Sequence, residues 1–264
     1  MTGGTAMNSH RASPPSPLPA GRFASALAVA AVLCAGLTGC SEDRLAGVCD
    51  VVLDGSGSSE PKTGFDAEQR VRAQLPRQLF QAGCRTVTFE PITGASRSAY
   101  CTADDVDLDP DAAGNLDRPA LRNTRRGLAV QRAGELLGCV RTDQREVPGS
   151  DVLGGLWRAA EERPTGGAGY HLIVFSDFMA TDPKGGDHPL NLYEDDLSTP
   201  EKRRAIIERL AADKRIPNLS GVRLVTIGYG TLQGRDPVAF PAFDAFWKEL
   251  LKDKAHCPVE PKKV

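Results

Sequence analysis

The feature that most constrains this chain is an apolar, β-branched run, Val48-Cys-Asp-Val-Val-Leu53, that stops on Asp54-Gly-Ser-Gly-Ser-Ser59. So short a run without alternation reads as a buried strand, and the polar, glycine-rich segment after it as a tight loop. Tyr170-His-Leu-Ile-Val-Phe175 repeats the pattern and also ends on an acid, Asp177 after Ser176. Strands of this kind are what a mostly parallel sheet covered by helices on both faces requires, and the two strand ends are expected to be partners.

The rest of the chain alternates in the same sense. Val71, Leu75, Leu79 and Phe80 recur at helical spacing between Asp66 and Ala82, and Arg85-Thr-Val-Thr-Phe-Glu90 alternates as a strand does. Ser98-Ala-Tyr-Cys-Thr102 is expected to return as an antiparallel edge strand after a turn at Thr93-Gly94, and Asp104 to Asp117 to be a solvated loop. Helices are expected over Pro119–Cys139 and after Gly149-Ser150-Asp151, with Ser150 as N-cap, then over Glu201–Asp213 and Phe243–Lys254, with a strand at Gly221–Ile227. The order is βα throughout, one doubly wound α/β sheet with no internal repeat and no second domain.

In such a sheet the loops leaving the carboxyl ends of the strands meet at one edge, which brings together Asp54, Ser56, Ser58, Ser150 and Asp177. Two carboxylates and three hydroxyls make a hard-oxygen set that suits Mg²⁺ or Mn²⁺ and disfavours zinc or copper. With only two acids the ion keeps residual positive charge, which an acidic side chain of another protein can satisfy. Other candidates carry less. Asp105-Val-Asp-Leu-Asp109-Pro-Asp111 has Pro110 and Leu116 where a calcium loop needs Gly and Glu. No Gly-x-Ser-x-Gly surrounds Ser56, His171, His188 and His256 sit in no motif, and Gly166-Gly167 and Gly185-Gly186 begin no phosphate loop.

Asp54-Gly55-Ser56-Gly57-Ser58 after a buried strand resembles the Asp-x-Ser-x-Ser signature of von Willebrand factor A domains, with Gly149-Ser150-Asp151 and Phe175-Ser-Asp177 where the later elements belong. The resemblance spans Val48 to Lys254. It implies a six-stranded sheet with one antiparallel edge strand, and metal coordination by Asp54, Ser56, Ser58, Ser150 and Asp177. Two positions depart from the family pattern: Ser150 stands where Thr is usual, and Phe178 follows Asp177 where Gly is usual.

The first forty residues are of another kind. Arg11 and Arg22 precede the uncharged run Phe23 to Leu37, a signal-peptide pattern too short and alanine-rich for a comfortable spanning helix. Leu37-Thr38-Gly39-Cys40 resembles the bacterial lipobox, which implies lipidation at Cys40 and an extracytoplasmic, membrane-anchored protein. The expected organisation is a signal peptide over 1–39, starting at Met1 or Met7, a lipidated tether over 40–47, the domain over 48–257 and a tail over 258–264. With Lys+Arg 32 against Asp+Glu 34, the net charge of -2 provides no basic field for nucleic acid.

Five cysteines remain beyond Cys34 and Cys40, suited to an oxidising compartment. In this topology Cys49, Cys84, Cys139 and Cys257 fall at strand starts or helix ends and Cys101 near the end of a return strand, so all five are expected at the edge opposite the metal. Cys49 is expected to pair with Cys257, with one more bridge among Cys84, Cys101 and Cys139. The function these readings favour is metal-dependent adhesion or scaffolding, without catalysis, through an acidic group on a partner protein. The alternatives are a metal-assisted hydrolase using Asp54 and Asp177, and an accessory envelope lipoprotein whose metal site has decayed.

Overall fold

A computed structural model of the chain describes residues 44–111, 117–164, 169–186, 189–231, 236, 238–258 and 262–263. The leader, Cys40, Leu116, Gly166-Gly167, His188 and most of the tail lie outside the described residues. The chain from Arg44 onward forms one compact unit.

Its frame is a mostly parallel sheet. Strands β1 (Gly47–Asp54), β2 (Cys84–Ile92), β3 (Val106–Asp107), β4 (Tyr170–Phe175), β5 (Val222–Ile227) and β6 (Lys262–Lys263) lie in the order β3-β2-β1-β4-β5-β6. All neighbours are parallel except β3 on β2, and β1 is paired on both edges, Val51 opposite Phe89 on one side and Ile173 on the other. Helices α1 (Ala67–Ala82), α2 (Arg118–Asp143), α3 (Val152–Glu161), α4 (Pro200–Ala212) and α5 (Ala239–Lys248) complete the domain, and α5 runs on into a π-helical segment, Glu249–Lys254.

The period-2 alternation of the strands sorts the core into two clusters. Val51, Leu53, Ile173 and Phe175 join Val71, Leu75 and Leu79 of α1 and Leu136 and Val140 of α2. Val52, Leu172 and Val174 join residues of α3, α4 and α5, including Leu156, Ile206 and Trp247. Capping fixes the helix starts: Asp66, Asp117, Asp151 and Thr199 each accept a backbone N–H from the first turn. The α3 cap is therefore Asp151, whose carboxylate accepts from Gly154 N at 2.8 Å, and not Ser150. Phe80 does not join the core; it is 67% exposed, with Arg126 over its ring.

The segment between β2 and α2 differs from its sequence reading. Residues 98–102 form no strand; a 3₁₀ turn occupies Ser96–Ser98, and the antiparallel edge is Val106–Asp107, inside the stretch read as a solvated loop. Leu108 and Asp109 beside it are buried. Asp109 accepts from Arg122 at 3.0 and 3.2 Å, Arg118 at 3.0 Å and the Leu45 backbone at 3.1 Å, and these bonds, with Arg122 foremost, hold its carboxyl down at about 2. An acidic, Pro-containing composition looks solvated until two arginines a helical turn apart meet it.

Of the two expected disulfides, the bridge within Cys84, Cys101 and Cys139 is present and the partner of Cys49 differs. Cys49 bonds Cys84 and Cys101 bonds Cys139, with Cα separations of 5.6 and 5.8 Å, while Cys257 is buried and in no disulfide. The expected Cys49–Cys257 bridge is excluded because the two residues belong to the clusters on opposite faces of the sheet. Cys139 is not at the expected edge either. Because β3 runs antiparallel, α2 climbs toward the carboxyl ends of the parallel strands, and Val140, the next residue, packs against Gly55 in the loop after β1.

Candidate functional site

The strand order reverses between β1 and β4, and in an open α/β sheet the crevice beyond the strand ends at such a point is where ligands bind. β1 delivers Asp54 there and β4 delivers Ser176 and Asp177, all three wholly buried. The loop after β1 turns sharply across Asp54: Ser56 N donates to Asp54 Oδ1 at 2.9 Å, and Ser59 N and Oγ donate to Ser56 O at 2.8 and 2.7 Å. Gly55 is required by close approach, since a Cβ there would fall 2.5 Å from Val140 Cγ1.

The loop before α3 supplies the third side chain. Gln144 brackets Gly149 with two hydrogen bonds, of 2.6 and 2.9 Å, and Ser150 forms an antiparallel bridge with Thr181, its N–H donating to Thr181 O at 2.6 Å. Thus fixed, Ser150 Oγ donates to Asp54 Oδ2 at 3.1 Å across 96 positions of sequence. Ser176 Oγ donates to the same oxygen at 2.7 Å, and the hydroxyls of Ser56 and Ser58 are 3.1 Å apart.

Asp177 is placed by its backbone. Its Oδ1 accepts from Met179 N at 2.9 Å, while Oδ2 is buried with no hydrogen-bond partner. Phe178 takes φ 65, the left-handed conformation that glycine adopts freely. Its ring offsets the strain by packing 5.2 Å from Tyr229 and 5.1 Å from Trp247, and Trp247 Nε1 donates to its carbonyl at 3.1 Å. The departure at Phe178 therefore leaves the loop shape a glycine would take and bolts it to α5.

The electrostatics follow from burial. Loss of water pushes the Asp54 carboxyl upward, opposed by the hydroxyls of Ser176, Ser56 and Ser150. Asp177 is pushed up by burial first and by the neighbouring Asp54 charge second, with the Met179 N–H and the Ser58 hydroxyl favouring its charged form.

Above these groups opens a cleft of about 480 Å³, with Ser56, Ser58 and Ser150 in its lining, Arg141, Gln144 and Arg145 from the end of α2, and Met179, Thr181 and Tyr193. Tyr193 is 61% exposed. No protein-family model matches the chain, and no curated protein matches its sequence.

All five sequence-predicted residues lie at this one rim. Among the described residues no group of three or more His, Cys, Asp or Glu side chains that could hold a metal ion is present, and the rim offers two carboxylates and three hydroxyls. It fits a hard divalent ion on two counts: every donor is oxygen, and Asp177 Oδ2 is a buried acceptor lacking a partner. Ser176, Thr181 and Arg141 were not read from sequence. Ser176 had a signal, as the hydroxyl between the end of β4 and Asp177. Arg141 and Thr181 had none, since only the folded chain carries them to the rim.

Proposed function

We propose that this protein is a lipid-anchored, extracytoplasmic binding module of the von Willebrand factor A type, doubly wound, that holds Mg²⁺ or Mn²⁺ at Asp54, Ser56, Ser58, Ser150 and Asp177. The bound ion accepts an acidic group from a partner protein, and the module has no catalytic step of its own. What carries the reading is the buried, partnerless Oδ2 of Asp177 beside buried Asp54. Two adjacent carboxylates out of water repel each other, and a divalent cation among hydroxyls relieves both the repulsion and the missing partner. Ser150 and Ser176 orient Asp54 beforehand, which lowers the cost of assembling the shell.

Isothermal titration of the purified protein with Mg²⁺ and Mn²⁺ tests the site. One EDTA-reversible site is expected in the wild type and none in Asp54→Ala. At 100 times Kd the ion is expected to stabilise the fold by about 2.7 kcal/mol. Absence of EDTA-sensitive binding in a folded wild type overturns the reading. Among the described residues no helix is long and apolar enough to cross a membrane; the proposed anchor at Cys40 rests on the lipobox resemblance of Leu37-Thr38-Gly39-Cys40.

A further inference from the structure

The first described residues are bound to the domain where β1 begins, at the edge opposite the metal rim. Arg44 pairs with Asp111, Leu45 N donates to Asp109 Oδ2 at 3.1 Å, and Gly47 N donates to Gly83 O at 3.1 Å. Cys40 precedes Arg44 by four residues and, at ~3.6 Å per residue, lies no more than about 14 Å from it. Gly83 N donates in turn to Phe80 O at 3.2 Å, which puts Phe80, in the last turn of α1, beside the root of the tether. Phe80 is an exposed aromatic ring, and the Arg126 guanidinium stands 5.1 Å from its centroid. Burial and the neighbouring Arg122 charge both disfavour the Arg126 cation. Among the described residues Arg77, one turn before Phe80, and Arg125 and Arg126 are in no salt bridge. The nearby acids are engaged, Asp109 with Arg118 and Arg122, Asp111 with Arg44 and Arg85, and Asp117 with the Ala120 N–H. Asp105 neighbours Glu162 at the end of α3, a helix of the opposite face.

We propose that Phe80 and the arginines around it rest on the anionic surface of the bilayer that holds the Cys40 anchor, so that the domain stands with its cleft facing away from the membrane. The inference rests on the anchor reading above, and it fixes an orientation which that reading leaves free. So short a tether keeps this edge within reach of the lipid headgroups. A phenylalanine ring gains by leaving water for the boundary of the acyl chains, and arginines beside it meet lipid phosphates through their planar fork of N–H donors. Arg126, stacked over the ring, carries its charge to the same depth. From this edge β1 rises from Gly47 to Asp54, about 23 Å at ~3.3 Å per residue, and that is the height at which the cleft is offered to a partner.

The test places the acylated protein in vesicles of brominated phosphatidylcholine and phosphatidylglycerol, in which bromine quenches tryptophan on contact. Acylation is read first, from labelled palmitate. Phe80→Trp and Tyr193→Trp put a probe at the tether edge and at the cleft, both at exposed positions, and the wild-type signal of Trp157 and Trp247 is subtracted. Quenching is expected at position 80 and not at position 193. Arg126→Gln added to Phe80→Trp is expected to shift the equilibrium about fivefold toward the unquenched state, the contribution of one arginine near an anionic surface. Vesicles of brominated phosphatidylcholine alone are expected to quench position 80 less. An acylated protein quenched at neither position, at both, or at 193 alone overturns this inference and leaves the anchor standing. A chain that takes up no palmitate overturns the anchor reading and this inference with it. Quenching at 80 that is equal in both kinds of vesicle and unchanged by Arg126→Gln overturns the part assigned to the arginines.

Discussion

Asp50→Asn is expected to stabilise this protein at neutral pH, although it replaces a wholly buried residue in the central strand. Asp50 is the fourth residue of β1 and is fully enclosed between β2, β4 and α3. It faces Tyr170, Thr88, Glu90 and Glu162, and Arg158, the cation nearby, is spent on Glu90. Tyr170 Oη lies 3.3 Å from Asp50 Oδ2 and also touches the Ala159 carbonyl, which can only accept. Tyr170 Oη donates toward Asp50 Oδ2 and shares its one proton with the Ala159 carbonyl, so this bond and that of Thr88 only partly oppose the effect of burial. Burial, and then the charge of Glu90, push the carboxyl from 3.8 up to about 8. The folded protein thus takes up a proton that the unfolded chain releases above pH 3.8. A raised carboxyl pKa gives stability that is complete below 3.8 and lost as pH climbs to about 8. At about 1.4 kcal/mol per pH unit the loss sums to ~6 kcal/mol, comparable with the whole stability of many domains. Asparagine keeps the shape and donates from Nδ2 to Tyr170 Oη without titrating. Urea unfolding with disulfides intact should place the two proteins within about 1 kcal/mol at pH 4. Their difference should then grow in favour of the variant by about 1.4 kcal/mol per unit up to pH 8. A difference that stays constant from pH 4 to 8.5 refutes a neutral Asp50.

Phe178→Gly should relieve the left-handed backbone at φ 65, worth about 1 kcal/mol, and lose a ring whose burial is worth about 3–5 kcal/mol, for a net loss of ~2–4 kcal/mol in thermal or urea unfolding. A variant more stable than the wild type would show that ring packing is not what holds this loop. Cys40→Ser should abolish incorporation of labelled palmitate in a bacterial host and release the protein from the membrane fraction; unchanged labelling would remove Cys40 as the anchor.

The parts of the fold legible in the sequence are those where one local signal suffices. The runs at 48–53 and 170–175 are strands because an apolar, β-branched stretch has no better way to bury itself, and their polar ends meet because parallel strands share a carboxyl edge. The helices show their caps and periodicity, so their bounds fall within a few residues of those expected. What was not legible depends on partners far along the chain. Asp109 is buried because Arg118 and Arg122 reach it, and the short β3 needs only Val106 and Asp107 against Thr86 and Val87. The cysteine pairing depends on which face of the sheet each residue takes, and Cys49 and Cys257 take opposite ones. At the site, Asp54 and Ser56 to Ser58 follow from the loop sequence, whereas the buried, partnerless oxygen of Asp177 emerges only from packing.

The reversal at β3 also sets the charge of the rim. In an unbroken succession of parallel βα units every helix descends from the carboxyl edge, so the rim receives strand ends and helix N-termini, and its fixed side chains are those of the loops. Here the chain descends through β3 instead, and α2 climbs back until its last turns meet the loop after β1 at Gly55 and Val140. That course brings Arg141, Gln144 and Arg145 into the wall of a cleft whose lining also carries Glu60, above the buried acids Asp54 and Asp177. Arg141 pairs with Glu68 of α1, while burial is the leading influence on both aspartates. A one-sided parallel crossover after β2 would have put the end of α2 at the opposite edge and left the floor without its wall.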